Sequence, residues 1–189
     1  MMNYYSTISD LIFIDRKHLF TETDIMLYHP GHFPELNELV AKHYHQEVVK
    51  YIFIPSIFNT FLQANEFEYH RERLIQLGVP HENIQPITGD FSNVEDVIKS
   101  AFNMINKQEV TNVLLAGKSF FCRRFLLLAS LYAAEDKILD VLPLQDLRQI
   151  NRDTWHTSEQ GRQRITNELK QYYEITERHS MLFIRNSNT

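Results

Sequence analysis

The feature that most constrains this chain is an alternation. Short, continuous apolar or β-favouring runs are separated by longer segments with helical spacing. The runs are Asp24–Tyr28, Lys50–Ile54, Asn83–Ile87, Thr111–Ala116 and Lys137–Leu142. Helical spacing covers Pro34–His45, Glu66–Leu77, Asn93–Asn106 and Phe120–Ala134 between them, and Ser158–Thr176 after the last. A strand, a helix and a second parallel strand connect by a right-handed crossover, and repetition of that unit builds a mostly parallel sheet covered on both faces. Runs such as Val113-Leu114-Leu115-Ala116 do not alternate apolar with polar, as expected of strands buried on both sides. The expected fold is α/β: a doubly wound, Rossmann-like three-layer sandwich around a mostly parallel five-stranded sheet.

Boundary residues support this division. Leu77-Gly78-Val79-Pro80 ends a helix, with Gly as the left-handed C′ residue and Pro preventing continuation. Ser92-Asn93-Val94-Glu95 predicts a capping box, with Ser92 at N-cap and Glu95 reaching back. Pro34 suits a first helical position. Thr157 or Ser158 opens the last helix, whose apolar stripe carries Ile165, Leu169, Tyr172 and Tyr173. Ile8, Leu11, Ile12 and Leu19 predict a further N-terminal helix. Residues 1–22 are therefore expected to form a helical extension to a single Rossmann-like domain over 23–189, with no repeat or composition break. A chain of 189 residues should bury very roughly 70% of its unfolded surface, enough for a substantial core.

Composition narrows the function classes. Five Gly and six Pro exclude collagen-like or disordered chains, and a net charge of −5 lacks the basic excess of a nucleic-acid binder. The single cysteine, Cys122, excludes an intramolecular disulfide and a cysteine-based zinc site, which points to a reducing compartment. Near the N-terminus the longest apolar run is Leu11–Ile14, too short for a signal peptide. Phe125–Ala134 is about half the length of a membrane span. The expectation is a cytoplasmic protein with a small-molecule ligand, no nucleic acid, no membrane and no metal. The oligomeric state is left open.

Ligands of open parallel sheets bind outside the strand carboxyl ends, where loops meet helix N-termini. The first such loop is His29-Pro30-Gly31-His32, with Gly31 its only glycine, and the second runs from Pro55 through Ser56 to Thr60. The third contains Asp90, Ser92 and Asn93, and the fourth is Gly117-Lys118-Ser119. That Gly-Lys-Ser is not a phosphate loop: five residues before Gly117 stands Asn112, not glycine. Lys118, Ser119 and the basic residues Arg123 and Arg124 at the start of a helix still make a candidate anion site. Alternatively the cations are solvated and Ser119 is only an N-cap. No G-x-G-x-x-G follows any strand, and no G-x-S-x-G elbow is present. Among nine histidines, His43 and His45 do not share a helix face, and His29 and His32 lack a third ligand. Glu66, Glu68, Asp90, Glu95 and Asp96 lie at the same edge, where carboxylates bind ribose hydroxyls or a ligand amine or, alternatively, only stabilise helix N-termini. Asp90, His29 and Glu66 remain open as a general base. Trp155 either lines the pocket or anchors the last helix onto the core.

Asn65-Glu66, then Leu77-Gly78-Val79-Pro80-His81-Glu82-Asn83-Ile84, then Ser92-Asn93-Val94-Glu95-Asp96, resembles the YdcF/SanA/ElyC-like family of bacterial domains of unknown function. The resemblance extends through Gly117 to Phe125 and to Trp155, Glu168 and Tyr172, covering about residues 24 to 175. It implies a Rossmann-like fold with a pocket at the strand carboxyl ends, and S-adenosylmethionine or another nucleotide-like ligand as occupant. The positions carried over are Glu66, Glu95 and Arg124. Ser92, Asn93, Asp96 and Ser119 occupy motif positions with altered residues. Phe121 stands where the family has His, and the glycines after the first two strands are nearly absent. The expected binding set is therefore Gly31, Ser56, Glu66, Asp90, Ser92, Asn93, Glu95, Lys118, Ser119 and Arg124. The alternative is a degenerate, non-catalytic relative acting as a ligand sensor or protein-interaction module.

Overall fold

The computed structural model describes residues 4–180. Residues 1–3 and 181–189, which the expected extension and domain include, lie outside the described residues. The sheet is five-stranded and parallel throughout. Its strands are β1 (Glu22–His29), β2 (Val48–Pro55), β5 (Ile84–Ile87), β6 (Asn112–Lys118) and β7 (Ile138–Leu144), in the order β5-β2-β1-β6-β7. The helices are α1 (Tyr4–Ile12), α2 (Leu36–Gln46), α3 (Glu66–Gln76), α4 (Val94–Ile105), α5 (Cys122–Tyr132) and α6 (Glu159–Arg178). A short antiparallel hairpin, β3 (Phe58–Asn59) with β4 (Ala64–Asn65), interrupts the connection from β2 to α3.

The continuous apolar runs are buried on both faces because each strand feeds two cores. In β1, Ile25 and Leu27 pack with α4, α5 and α6, whereas Met26 and Tyr28 pack with α2 and α3. In β6, Val113 and Leu115 take the first side and Leu114 and Ala116 the second. Helices thus cover both faces, as the alternation predicts for a Rossmann-like three-layer sandwich. Among the described residues no helix is long and apolar enough to cross a membrane.

Polar residues fasten neighbouring strands and the terminal helices. Asp24 accepts backbone N–H bonds from Thr111 and Asn112, both at 2.9 Å, and pairs with Lys50 at 2.6 Å. The Trp155 indole donates to Ser9 Oγ at 2.8 Å and packs in the core, so the tryptophan joins α1 to the segment before α6.

Three local expectations need correction. The cap of α4 is Asn93, whose side chain accepts from Glu95 N and Asp96 N, while Asp96 accepts from Ser92 N. The capping motif is thus shifted one residue from the Ser92–Glu95 pair, because Asn93 is the residue with extended backbone just before the helix. Asn93→Ala should cost about 1 kcal/mol, readable as a lower urea midpoint. Pro34 precedes α2 in a turn, and the helix opens at Leu36. The N-terminal helix ends at Ile12, so Leu19, which is 52% exposed, belongs to an irregular stretch leading into β1.

Candidate functional site

The strand order reverses between β1 and β6: β1 leads outward to β2 and β6 leads outward to β7. The connecting chains diverge there and leave a crevice at the carboxyl edge, where doubly wound folds bind ligands. His29, the last residue of β1, lies in register with Gly117, and Lys118 ends β6.

Gly31 makes room for the Lys118 side chain. Its φ of +62° is in the left-handed region, and a Cβ placed there would stand 3.1 Å from Lys118 Nζ. The His70 ring, buried beneath, sets Nε2 2.8 Å from the Gly31 carbonyl oxygen and Nδ1 3.1 Å from Asn37 Oδ1, which holds the turn. Lys118 Nζ sits 4.5 Å from the centre of the Phe33 ring, and Arg148 approaches the same ring at 4.3 Å. Burial, then the neighbouring charges of Arg148 and Arg164, pull the Lys118 ammonium down to about 8, against the opposing pull of Asp146 and Glu66.

Arg148 is already paired with Asp146. Arg124 donates to both oxygens of Glu168, at 2.7 and 3.0 Å, and lies 4.8 Å from the Phe121 ring. Arg164 rests 5.3 Å from the Phe120 ring. Among the described residues neither Lys118 nor Arg164 has a carboxylate within ion-pair distance. They line a cleft of about 140 Å³ together with His29, Val94, Phe120, Phe121 and the Arg124–Glu168 ion pair. Burial, then Lys118, depresses His29 to about 3, so the ring is neutral, and its buried Nδ1 has no hydrogen-bond partner.

Glu66 opens α3 and is 6% exposed. Its Oε1 accepts from Asn59 Nδ2 at 2.6 Å, and its buried Oε2 has no partner. Burial raises its pKa, opposed by the Asn59 hydrogen bond and by Lys118. Ser56 lies beside it, with Asn65 Nδ2 donating to its hydroxyl at 3.2 Å.

The other expected residues lie elsewhere or are engaged. Ser119 is not a helix cap: its N–H donates to Leu144 O at 2.9 Å and its hydroxyl to Ile150 O at 3.2 Å, which fastens the segment after β7. Arg123 donates to Asp10 O and Phe13 O and so holds the end of α1. Asp90, Ser92 and Asn93 are exposed around the start of α4. Glu95 accepts from the Tyr132 hydroxyl at 2.6 Å and meets Arg178 and His179. Although burial raises it, these partners together hold Glu95 below the usual carboxylate range. It faces a separate cleft of about 400 Å³, which shares Val94 and Arg124 with the first. The structure therefore brings Gly31, Glu66, Lys118 and Arg124 to the crevice, with Ser56 at its flank, and takes Asp90, Ser92, Asn93, Glu95 and Ser119 out of it.

Comparison with family models, with curated proteins and with solved structures finds no match. Among the described residues no group of three or more His, Cys, Asp and Glu is placed to hold a metal.

Arg148, Arg164 and His32 were not among the expected residues. Arg148 follows β7, so the carboxyl-edge rule, applied to the fifth strand as well as the first four, would have found it. Arg164 projects from α6, and no local pattern marks it.

Proposed function

We propose that this chain binds a nucleotide-type, phosphate-bearing small molecule at the carboxyl edge between β1 and β6. The supporting observation is the pair of half-buried cations, Lys118 and Arg164, that lack a carboxylate partner among the described residues and line one cleft. Partly burying a cation is unfavourable without a counter-charge, and a phosphate supplies one. The cleft, at about 140 Å³, is smaller than the roughly 300–1,000 Å³ of sites that enclose a whole small molecule. It fits the anionic end of a ligand, with the remainder lying along the sheet edge towards Glu66, whose free oxygen accepts a hydroxyl. Lys118 and Arg164, which line the cleft without a carboxylate partner among the described residues, disfavour the sulfonium of S-adenosylmethionine, the ligand implied by the resemblance, relative to a phosphate ester. Kinship with the YdcF/SanA/ElyC-like family and a cytoplasmic location belong to the same proposal. So does the absence of nucleic-acid and membrane partners.

The competing proposal is a non-catalytic sensor or interaction role. It is favoured by Phe121, a ring with no proton to transfer, whose centre lies 5.2 Å from the His29 ring at 53° and 4.8 Å from the Arg124 guanidinium. A sensor would use the same cleft, and an interaction module would leave it empty.

A thermal-shift panel of phosphate, pyrophosphate, nucleotides and S-adenosylmethionine tests the binding. A ligand at 100 times its Kd should stabilise the fold by about 2.7 kcal/mol. Nucleotides are expected to shift the wild type, and the shift should shrink in Arg164→Ala. Silence across the panel would overturn the proposal.

The pH profile adds a signature of opposite signs. Lys118 falls from 10.5 to about 8 on folding, so the unfolded chain binds its proton more tightly. As pH rises from 8 towards 10.5, this group makes the ligand-free protein more stable. Over the same rise, phosphate affinity falls because the ammonium is lost. Titrations at pH 7 and 9, with Lys118→Met as reference, should show both trends, and the variant neither.

A further inference from the structure

We propose that the β3–β4 hairpin is a base-stacking lip, on which the planar ring of the bound nucleotide stacks against the exposed face of Phe61, with His32 backing that ring. This role rests on the anion site described above and extends it from the phosphate to the other end of the ligand.

Phe61, between the two strands of the hairpin, is 78% exposed. Its ring nevertheless lies 4.5 Å from the His32 ring at 32°, and His32 lies 4.1 Å from Phe33 at 33°. Phe33 in turn carries the Lys118 ammonium. A continuous series of rings thus leads from an exposed aromatic face to the cation of the phosphate site. Burial, then Lys118, Arg148 and Arg164, lowers the His32 pKa, which favours an uncharged ring in contact with Phe61 and Phe33.

The hairpin is held in this conformation before any ligand arrives. Asn59 Oδ1 accepts from Phe61 N at 2.9 Å and from Leu62 N at 3.4 Å, and Gln63 Nε2 donates to Thr60 O. Asn59 Nδ2 also reaches Glu66, whose other oxygen is the unpartnered one. A ring carried on a turn whose backbone is already hydrogen-bonded costs less ordering of the chain when a partner binds. Stacking surface, hydroxyl acceptor and cationic cleft follow one another as base, sugar and phosphate do in a nucleotide.

The test is calorimetric titration of pyrophosphate, ribose 5-phosphate and adenosine diphosphate into the wild type, Phe61→Ala, Phe61→Trp and Arg164→Ala. Stacking of one base predicts that the nucleotide binds roughly ten-fold tighter than pyrophosphate to the wild type. Phe61→Ala should remove that advantage and leave pyrophosphate unchanged, Phe61→Trp should keep it, and Arg164→Ala should weaken all three probes. Equal affinity for the three probes, or a nucleotide affinity insensitive to Phe61→Ala, would overturn the stacking role while leaving the anion site standing. Binding of none of them would overturn both.

Discussion

Lys118→Met should lose phosphate binding and melt at a higher temperature than the wild type. A hydrogen bond to a charged group contributes about 1.5–3 kcal/mol, so loss of the ammonium should weaken phosphate binding roughly 10- to 150-fold. The same charge burdens the ligand-free fold. Its displacement from 10.5 to about 8 corresponds to about 3 kcal/mol against the protonated form, or about 2 kcal/mol after discounting partial exposure. Methionine keeps the aliphatic length beside Phe33 without the charge. At 2–4 °C per kcal/mol for a chain of this size, Tm should rise by about 4–8 °C at pH 7. Such an exchange of stability for function is common at binding sites. An unchanged phosphate Kd, or a lower Tm, would show that Lys118 serves the fold and not a ligand.

Glu168→Ala should have the opposite effect on the fold. Glu168 is 1% exposed, and both its oxygens accept from Arg124. Removing one member of a buried ion pair leaves the other charge uncompensated, which costs about 3–5 kcal/mol. Urea denaturation should show a much lower midpoint with an unchanged slope. Glu168→Gln, which keeps one acceptor, should lose less. Replacing both members with apolar residues, Arg124→Met with Glu168→Leu, should recover most of the loss. A cost below about 1 kcal/mol would mean that the pair is solvated, and Arg124 would then be available to a ligand.

The strands were legible because a two-sided core imposes continuous apolar runs, and Val113 to Ala116 displays one without interruption. The helices were legible from one-sided periodicity and from their caps, with an error of one residue where Ser92 and Asn93 compete for the N-cap. The hairpin was not legible, since two-residue strands, Phe58–Asn59 and Ala64–Asn65, are too short to show a period. The site divides along the same line. Lys118 could be found because it ends an apolar run and begins a loop, and Glu66 because it opens a helix at the same edge. Arg164 is brought to Lys118 by the packing of α6 across the sheet, which leaves no local trace. Ser119 misled for a related reason: its hydroxyl is taken by Ile150, thirty-one residues away in sequence.

The placement of β1 in the middle of the sheet has a consequence for the order in which the protein can be completed during synthesis. One flank of β1 finds its partner early, in β2, within a short helical hairpin of chain. The other flank must wait for β6, and Asp24 meets Thr111 and Asn112 across 87 and 88 residues. Until those residues emerge from the ribosome, Ile25 to Tyr28 present an unpaired parallel edge, with one apolar face not yet covered by α4, α5 and α6. Edges of that kind recruit other chains. The late half of the molecule therefore acts on the early half as a covering chaperone, built into the same polypeptide.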